Sequence, residues 1–388
     1  NVYAVFTPSK ESGITDLTQK NTVFELYREP AGSKRAIMPG NTSAIDAAIR
    51  LAPKTDYPIV VANDDFYGGL GGQYAITTSS RQSGKIVLRH ELGHNFGSVG
   101  EEYDGGLVYR GANSSRTPNT SWSHWTDPKT ASAQDMRFLG GAYVWQNLQD
   151  GNVVQNFKFP GPLNGKNFWF EVQISSVGWE SLNDVEILLD GKPLLLEGIG
   201  TSDRSFFTTQ KVQNLNPGNH TLEIRELKKD GNNILAFADL YAYTPDYEFT
   251  NTISAYKTYD ESQQITYRPT HQYCLMRDML YENFCAVDQE NMWNQFLRRV
   301  RLLDGVRVSP VTNGEAAVEA QSIKTPGILF KWLSWNKSTN SWDELLANSG
   351  KSQVSLPIGQ YKIQTILSTP EVRKPTAKFS DEMTFNIQ

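Results

Sequence analysis

The sequence predicts a multidomain α+β protein in which an α/β unit carrying a metal-binding helix is combined with two all-β sandwiches. Three patterns predict it: helical and strand-like spacings intermixed over residues 1–150, alternation between turn signals over 151–247 and again over 306–388, and a His-Glu-x-x-His run at His90–His94. Residues 248–305 return to helical spacing and are read as the second part of the α/β unit, which makes 151–247 an insertion. A chain of 388 residues exceeds what one small core needs.

The elements follow in order. Val2–Phe6 and Tyr57–Ala62 are short apolar, β-rich runs. Between them Ala44, Ile45, Ala48, Ile49 and Leu51 fall near helical spacing, with Thr42 or Ser43 as cap. Gly68, Gly69, Gly71 and Gly72 make a loop, Tyr74–Thr78 reads as a strand, and a helix starts at Ser83 and ends near Gly97 and Gly100. In the insertion, Phe168, Phe170, Val172 and Ile174 alternate, as do Val185, Ile187 and Leu189, and Leu222 with Ile224. Asp190-Gly191, Asn216-Pro217-Gly218 and Asp230-Gly231 supply the turns of an antiparallel sandwich. Met292, Trp293, Phe296, Leu297, Val300 and Leu303 then form one helix face with Asp288 as N-cap. Ile328, Phe330 and Trp332, and Tyr361, Ile363, Thr365 and Leu367, mark the second sandwich.

With 39% hydrophobic and 20% charged residues and a net charge of -5, the chain has the balance of a globular protein, neither disordered nor fibrous. No Lys/Arg-rich stripe offers a footprint for nucleic acid; the cluster Arg298, Arg299 and Arg301 reads as a solvated helix face. Apolar runs such as Ile187–Leu196 are broken by Asp190, Gly191 and Pro193, so no transmembrane segment is expected. The chain begins at Asn1 without a leader, which is expected to have been removed or to lie outside this numbering. The two cysteines, Cys274 and Cys285, are read as a disulfide, with two buried thiols as the alternative. Asn-x-Ser/Thr sequons at Asn41, Asn113, Asn119, Asn219 and Asn336 are glycosylation candidates, and with the cysteine pair they point to an extracellular, secreted protein.

His90-Glu91-Leu92-Gly93-His94 carries the chemistry. Residues at i and i+4 project from one helix face, so both imidazoles reach a single Zn2+, and Glu91 is placed to take a proton from a metal-activated water. A catalytic zinc normally has three protein ligands. The residue ten places after His90 is Gly100, which has no side chain, so the third ligand is read as Glu101, with Glu102 as the alternative and the other acid orienting a neighbour. A glutamate on a later helix, such as Glu290, is a further alternative.

The segment from His90 through Glu101-Glu102-Tyr103 resembles the extended motif of the IgA-peptidase-like metallopeptidases, or igalysins, a metzincin-type family. Cys274-Leu275-Met276 with Phe284-Cys285 resembles that family's Met-turn region. The resemblance covers residues 55–110 and 265–300 most specifically, and Glu101 stands where the common pattern has Asp. It implies a metzincin-like α/β core with one catalytic Zn2+ and Met276 as the hydrophobic floor under the metal. It also implies a substrate-binding edge strand near Gly72, Tyr74, Ala75 and Ile76, and one of Tyr267, Tyr273 or Tyr281 as an oxyanion donor. The disulfide is expected to tie down the Met-turn loop.

The leading reading is a secreted zinc metalloendopeptidase whose partner is a polypeptide substrate, with glycan or cell-surface contact through the sandwiches. The alternative is a carbohydrate- or protein-binding β-sandwich adhesin with a vestigial metal site, using aromatics such as Trp122, Trp125, Trp169, Trp332 and Trp335 as platforms.

Overall fold

The structure, a computed structural model, describes residues 2–388 except 17, 29–34, 127–135, 143, 164, 246–251 and 261. The chain divides into two compact units, Asn1–Cys285 and Ala286–Gln388. Both are rich in β-sheet, and three α-helices occur among the described residues.

The first unit opens with a small α/β layer. Asn41 caps α1 (Thr42–Ile49), its side-chain oxygen accepting the Ala44 N–H at 3.1 Å, one position before the cap expected at Thr42 or Ser43. Ile59–Ala62 pairs in parallel with Ala75–Thr78, and Gly69–Leu70 pairs antiparallel with the other side of Ala75–Thr78. Val60 and Ile76 pack with Ile37 and Ile45 in one apolar cluster. Val2–Phe6 is not a strand: Val2 and Phe6 are 98% and 89% exposed, and an apolar run without a partner or a core to cover has no reason to become regular.

α2 (Gly84–Asn95) packs on this sheet. A Cβ at Gly69 would lie 2.4 Å from Val87 Cγ1, so the missing side chain lets helix and strand approach. The Ser80 and Ser83 hydroxyls both donate to Asp203 Oδ2, at 2.5 and 2.7 Å, which ties the start of α2 to a loop of the following sandwich. At the other end, Phe96 and Gly97 N–H both turn to Leu92 O, and Ser98 takes a left-handed φ of 54° that sends the chain back along the helix.

Two antiparallel sheets follow within the same unit. One runs in the order Lys192–Leu194, Val185–Leu189, Gly218–Glu226, Val153–Phe159; the other runs Leu196–Gly198, Arg204–Thr209, Trp169–Val177, Ile234–Tyr243, Met136–Ala142. Their inward residues, including Phe159, Phe170, Ile174, Trp179, Ile187 and Leu222, form one core.

The second unit begins with α3 (Ala286–Leu297), so Asp288 lies inside the first turn and not at the N-cap. Glu290 Oε1 accepts the Arg373 and Lys374 N–H groups, both at 2.8 Å. A three-stranded sheet (Leu303–Val308, Glu315–Ser322, Gln353–Pro357) and a four-stranded sheet (Ser341–Glu344, Ile328–Asn336, Gly359–Leu367, Ser380–Ile387) enclose Val318, Trp332, Leu356 and Ile363. Trp122 and Trp332 are buried, which removes them as surface platforms for sugars. No helix among the described residues is long and apolar enough to cross a membrane.

Candidate metal centre

α2 holds His90 and His94 one turn apart, with their Nε2 atoms 3.2 Å from each other. The His90 Nδ1–H is directed at Leu275 O, 3.2 Å away, and the His94 Nδ1–H at Val99 O, 2.9 Å away. Each backbone carbonyl sets the tautomer that leaves the Nε2 lone pair facing inward. The reversed chain after Ser98 brings Glu101 to the same point: its oxygens lie 3.3 Å from His90 Nε2 and 3.1 Å from His94 Nε2. Glu101 Oε2 is buried and accepts no hydrogen bond of good geometry, although His90 stands beside it.

These separations have a direct meaning. Donors bound tetrahedrally to Zn2+ at about 2.0–2.1 Å stand about 3.3 Å apart, close to the imidazole–imidazole and imidazole–carboxylate separations here. The electrostatics agree. Burial opposes charge on His94, but the hydrogen bond and charge of Glu101 raise it to about 9. Burial likewise opposes the Glu101 carboxylate, and the two imidazoles hold it well below the usual range. A carboxylate field that retains a proton on a half-buried imidazole favours a divalent cation at the same place.

Glu102 points elsewhere. Its oxygens accept from Asn113 Nδ2 at 3.0 Å and Thr270 Oγ1 at 3.4 Å, and it is fully buried. Asn113 also accepts the Gly100 N–H and donates to Gly100 O. Its carboxamide is therefore committed and buried, which corrects its reading as a glycan acceptor; Asn119 and Asn219 are exposed. Asn41 is occupied as the cap of α1, and Asn336 Nδ2 donates to Asp343.

Met276 is buried beneath α2, where a Cβ at Gly93 would lie 2.6 Å from its sulfur. Cys274 and Cys285 are also buried and stand as two thiols, which corrects the disulfide reading; the Cys285 N–H is directed at Cys274 Sγ at 3.4 Å.

The centre opens into a cleft of about 880 Å3 lined by His90, Glu91, His94, Glu101, Gly69–Gly72, Met276 and Tyr281. Burial pushes the Glu91 carboxyl up, against the pull of the neighbouring imidazoles. The expected edge strand is corrected: Ala75 and Ile76 are buried and their strand is paired on both sides, because Gly69–Leu70 inserts between it and the cleft. Gly71 and Gly72 line the opening instead, and a Cβ on Gly71 would meet Glu91 Oε2 at 2.7 Å. The opposite wall comes from the sandwich, with Arg204, Phe206, Phe237 and Asp239.

Sequence reasoning missed the group that holds the loop below Glu101. Asp104 accepts from Arg277 Nη1 and Tyr241 OH, both at 2.7 Å, and from the Tyr259 N–H at 2.8 Å. Burial opposes its charge, and Arg277 holds its carboxyl low. The partners lie more than a hundred residues downstream, so no local pattern announces them.

No curated protein matches the sequence. Among solved structures, a Faecalibacterium prausnitzii beta-glucuronidase is similar at 8% identity and a TM-score of 0.15, over 61% of this chain and 37% of that one. A GH2 beta-galacturonidase from Eisenbergiella tayi bound to galacturonate is similar at 10% identity and a TM-score of 0.08, over 69% of this chain and 39% of that one. The chain thus spans well under half the length of either, and likenesses this slight bear on neither fold nor function. Residues 1–137, which contain α2, both histidines and Glu101, match the family model described as IgA peptidase M64, the IgA-peptidase-like family that the zinc-motif segment resembles, and the match points to a peptidase.

Proposed function

We propose that the chain is a secreted, zinc-dependent endopeptidase that hydrolyses an extended polypeptide in the cleft beside α2, within a metzincin-type catalytic half. His90, His94 and Glu101 hold the ion. The observation that carries this reading is the convergence of two imidazole Nε2 atoms 3.2 Å apart on one carboxylate, Glu101 Oε2 lying 3.3 Å from His90 and Oε1 3.1 Å from His94, separations close to those between donors sharing a zinc ion. A zinc ion there supplies Lewis-acid polarisation of the scissile carbonyl and makes a water easier to deprotonate.

The side chains do the rest. Glu91 accepts the proton of the attacking water and delivers it to the leaving amine, and its burial raises its proton affinity towards that of a useful general base. Of the three tyrosines around the Met-turn segment, Tyr281 lines the cleft. Burial raises its hydroxyl to about 12, so at neutral pH it remains a donor for the developing oxyanion. Met276 supports Gly93 of α2 from below.

Casein cleavage by the purified chain is the test. Activity is expected to vanish with a chelator and to return with Zn2+, and Glu101→Ala is expected to lose cleavage that added Zn2+ does not restore. Cleavage that persists under chelation removes the reading. Gly71→Ala gives a finer check: the new methyl displaces the Glu91 carboxylate, and kcat is expected to fall roughly 10- to 100-fold with stability nearly unchanged. An unaltered kcat would place Glu91 away from the reacting water.

A further inference from the structure

A second set of donors lies behind the segment that carries Glu101. The carboxylate of Glu102 and the thiols of Cys274 and Cys285 are buried, at 0%, 0% and 5% exposure. One ligand atom from each lies within 4.8 Å of the others. Two sulfurs and a carboxylate oxygen converging in the interior are the donor types of a structural zinc site, and the sulfurs disfavour hard cations such as Ca2+ and Mg2+.

We propose that Glu102, Cys274 and Cys285 form a second, structural site for a thiophilic divalent cation, Zn2+, separate from the cleft. The surroundings are built for it. Asn113 Nδ2 and Thr270 Oγ1 orient the Glu102 carboxylate, as neutral donors commonly orient a ligating carboxylate. The Cys285 N–H is directed at Cys274 Sγ, 3.4 Å away, and fixes where that sulfur points. Binding converts both thiols to thiolates and releases their two protons to solvent.

The site's position explains what the ion does. Adjacent residues face opposite ways: Glu101 turns to the imidazoles and Glu102 to the thiols. On the other strand of the loop, Cys274 faces the thiol cluster, Leu275 O orients the His90 ring, and Met276 sits under α2. The Glu102 N–H donates to Met276 O at 3.0 Å, and the Leu275 N–H to Asn283 O at 2.9 Å, so the segments that carry Glu102, Cys274 and Cys285 are already joined in series by backbone bonds. An ion joining Glu102 to Cys274 and Cys285 clamps these segments together. It thereby fixes the carbonyl behind His90 and the backbone of Glu101. The proposal stands independently of what the cleft hydrolyses, because it concerns donors that do not line it.

The experiment uses the full chain with His90→Ala and His94→Ala together, prepared with zinc and dialysed. It is expected to retain one zinc per chain where the unsubstituted protein retains two. Replacement by Co2+ or Cd2+ is expected to give sulfur-to-metal charge-transfer absorption, and Cys274→Ser with Cys285→Ser abolishes that band while the cleft ion stays. The same band is expected from the unsubstituted chain, which needs no altered residue to fold. Loss of all zinc from the double-histidine variant would overturn the proposal, as would bound metal without the charge-transfer band. So would a Cys274–Cys285 disulfide in the unreduced protein, detected as two sulfurs that resist alkylation until reduction. Absence of casein cleavage by the unsubstituted, zinc-loaded chain with the charge-transfer band intact would count against the peptidase reading alone.

Discussion

Glu91→Gln is expected to lower kcat/KM for casein by roughly 10²- to 10⁴-fold, with zinc content and unfolding midpoint unchanged. The substitution preserves shape and removes only the capacity to take a proton. Glu91 lies in the cleft, half-buried beside both imidazoles and against Gly71, so a neutral amide fits there without a new unpaired charge. The proposed metal donors, His90, His94 and Glu101, are not touched by the substitution. Activity retained within a few-fold would assign proton transfer to another group.

The largest expected loss of stability comes from Asp104→Ala, roughly 3–5 kcal/mol in denaturant unfolding of the unit that holds the cleft. The Arg277 and Asp104 side chains are 2% and 0% exposed and 2.7 Å apart, so truncation strands a buried guanidinium and frees the Tyr241 hydroxyl and the Tyr259 N–H. Adding Arg277→Met is expected to recover part of the loss, because it removes the stranded charge. A single-variant cost below about 1 kcal/mol would show that the pair is not desolvated as the geometry has it.

How much of this was legible in the sequence depends on the distance over which each signal acts. The histidine pair is local: helical geometry alone brings His90 and His94 together, and the five-residue run displays it. The turn after it was less legible. Gly100 excluded itself as a ligand by having no side chain, but the choice of Glu101 over Glu102 depends on the left-handed Ser98 and on Asn113 gripping Gly100, neither of which has a pattern in sequence. Alternation identified the sandwich strands well because each has one face in a core, as Phe170, Val172 and Ile174 do.

A short apolar run misled where it met no core. Val2–Phe6 shows that an apolar run specifies a strand only if something covers it. The edge-strand expectation failed for a related reason: Gly69–Leu70 is too short and too glycine-rich to register as a strand, yet it pairs with Ala75–Thr78 and takes the place next to the cleft. The sandwich wall of the cleft and the Asp104–Arg277 pair were invisible because they join residues far apart in the chain. A sequon likewise records only local composition, and Asn113 shows how tertiary packing overrides it.

The most direct test is an anomalous-difference map at the zinc absorption edge from crystals of the zinc-loaded chain. A peak is expected about 2.0–2.1 Å from His90 Nε2, His94 Nε2 and a Glu101 carboxylate oxygen. Density for both imidazoles with no anomalous peak between them, or a peak that Glu101 does not reach, would contradict it.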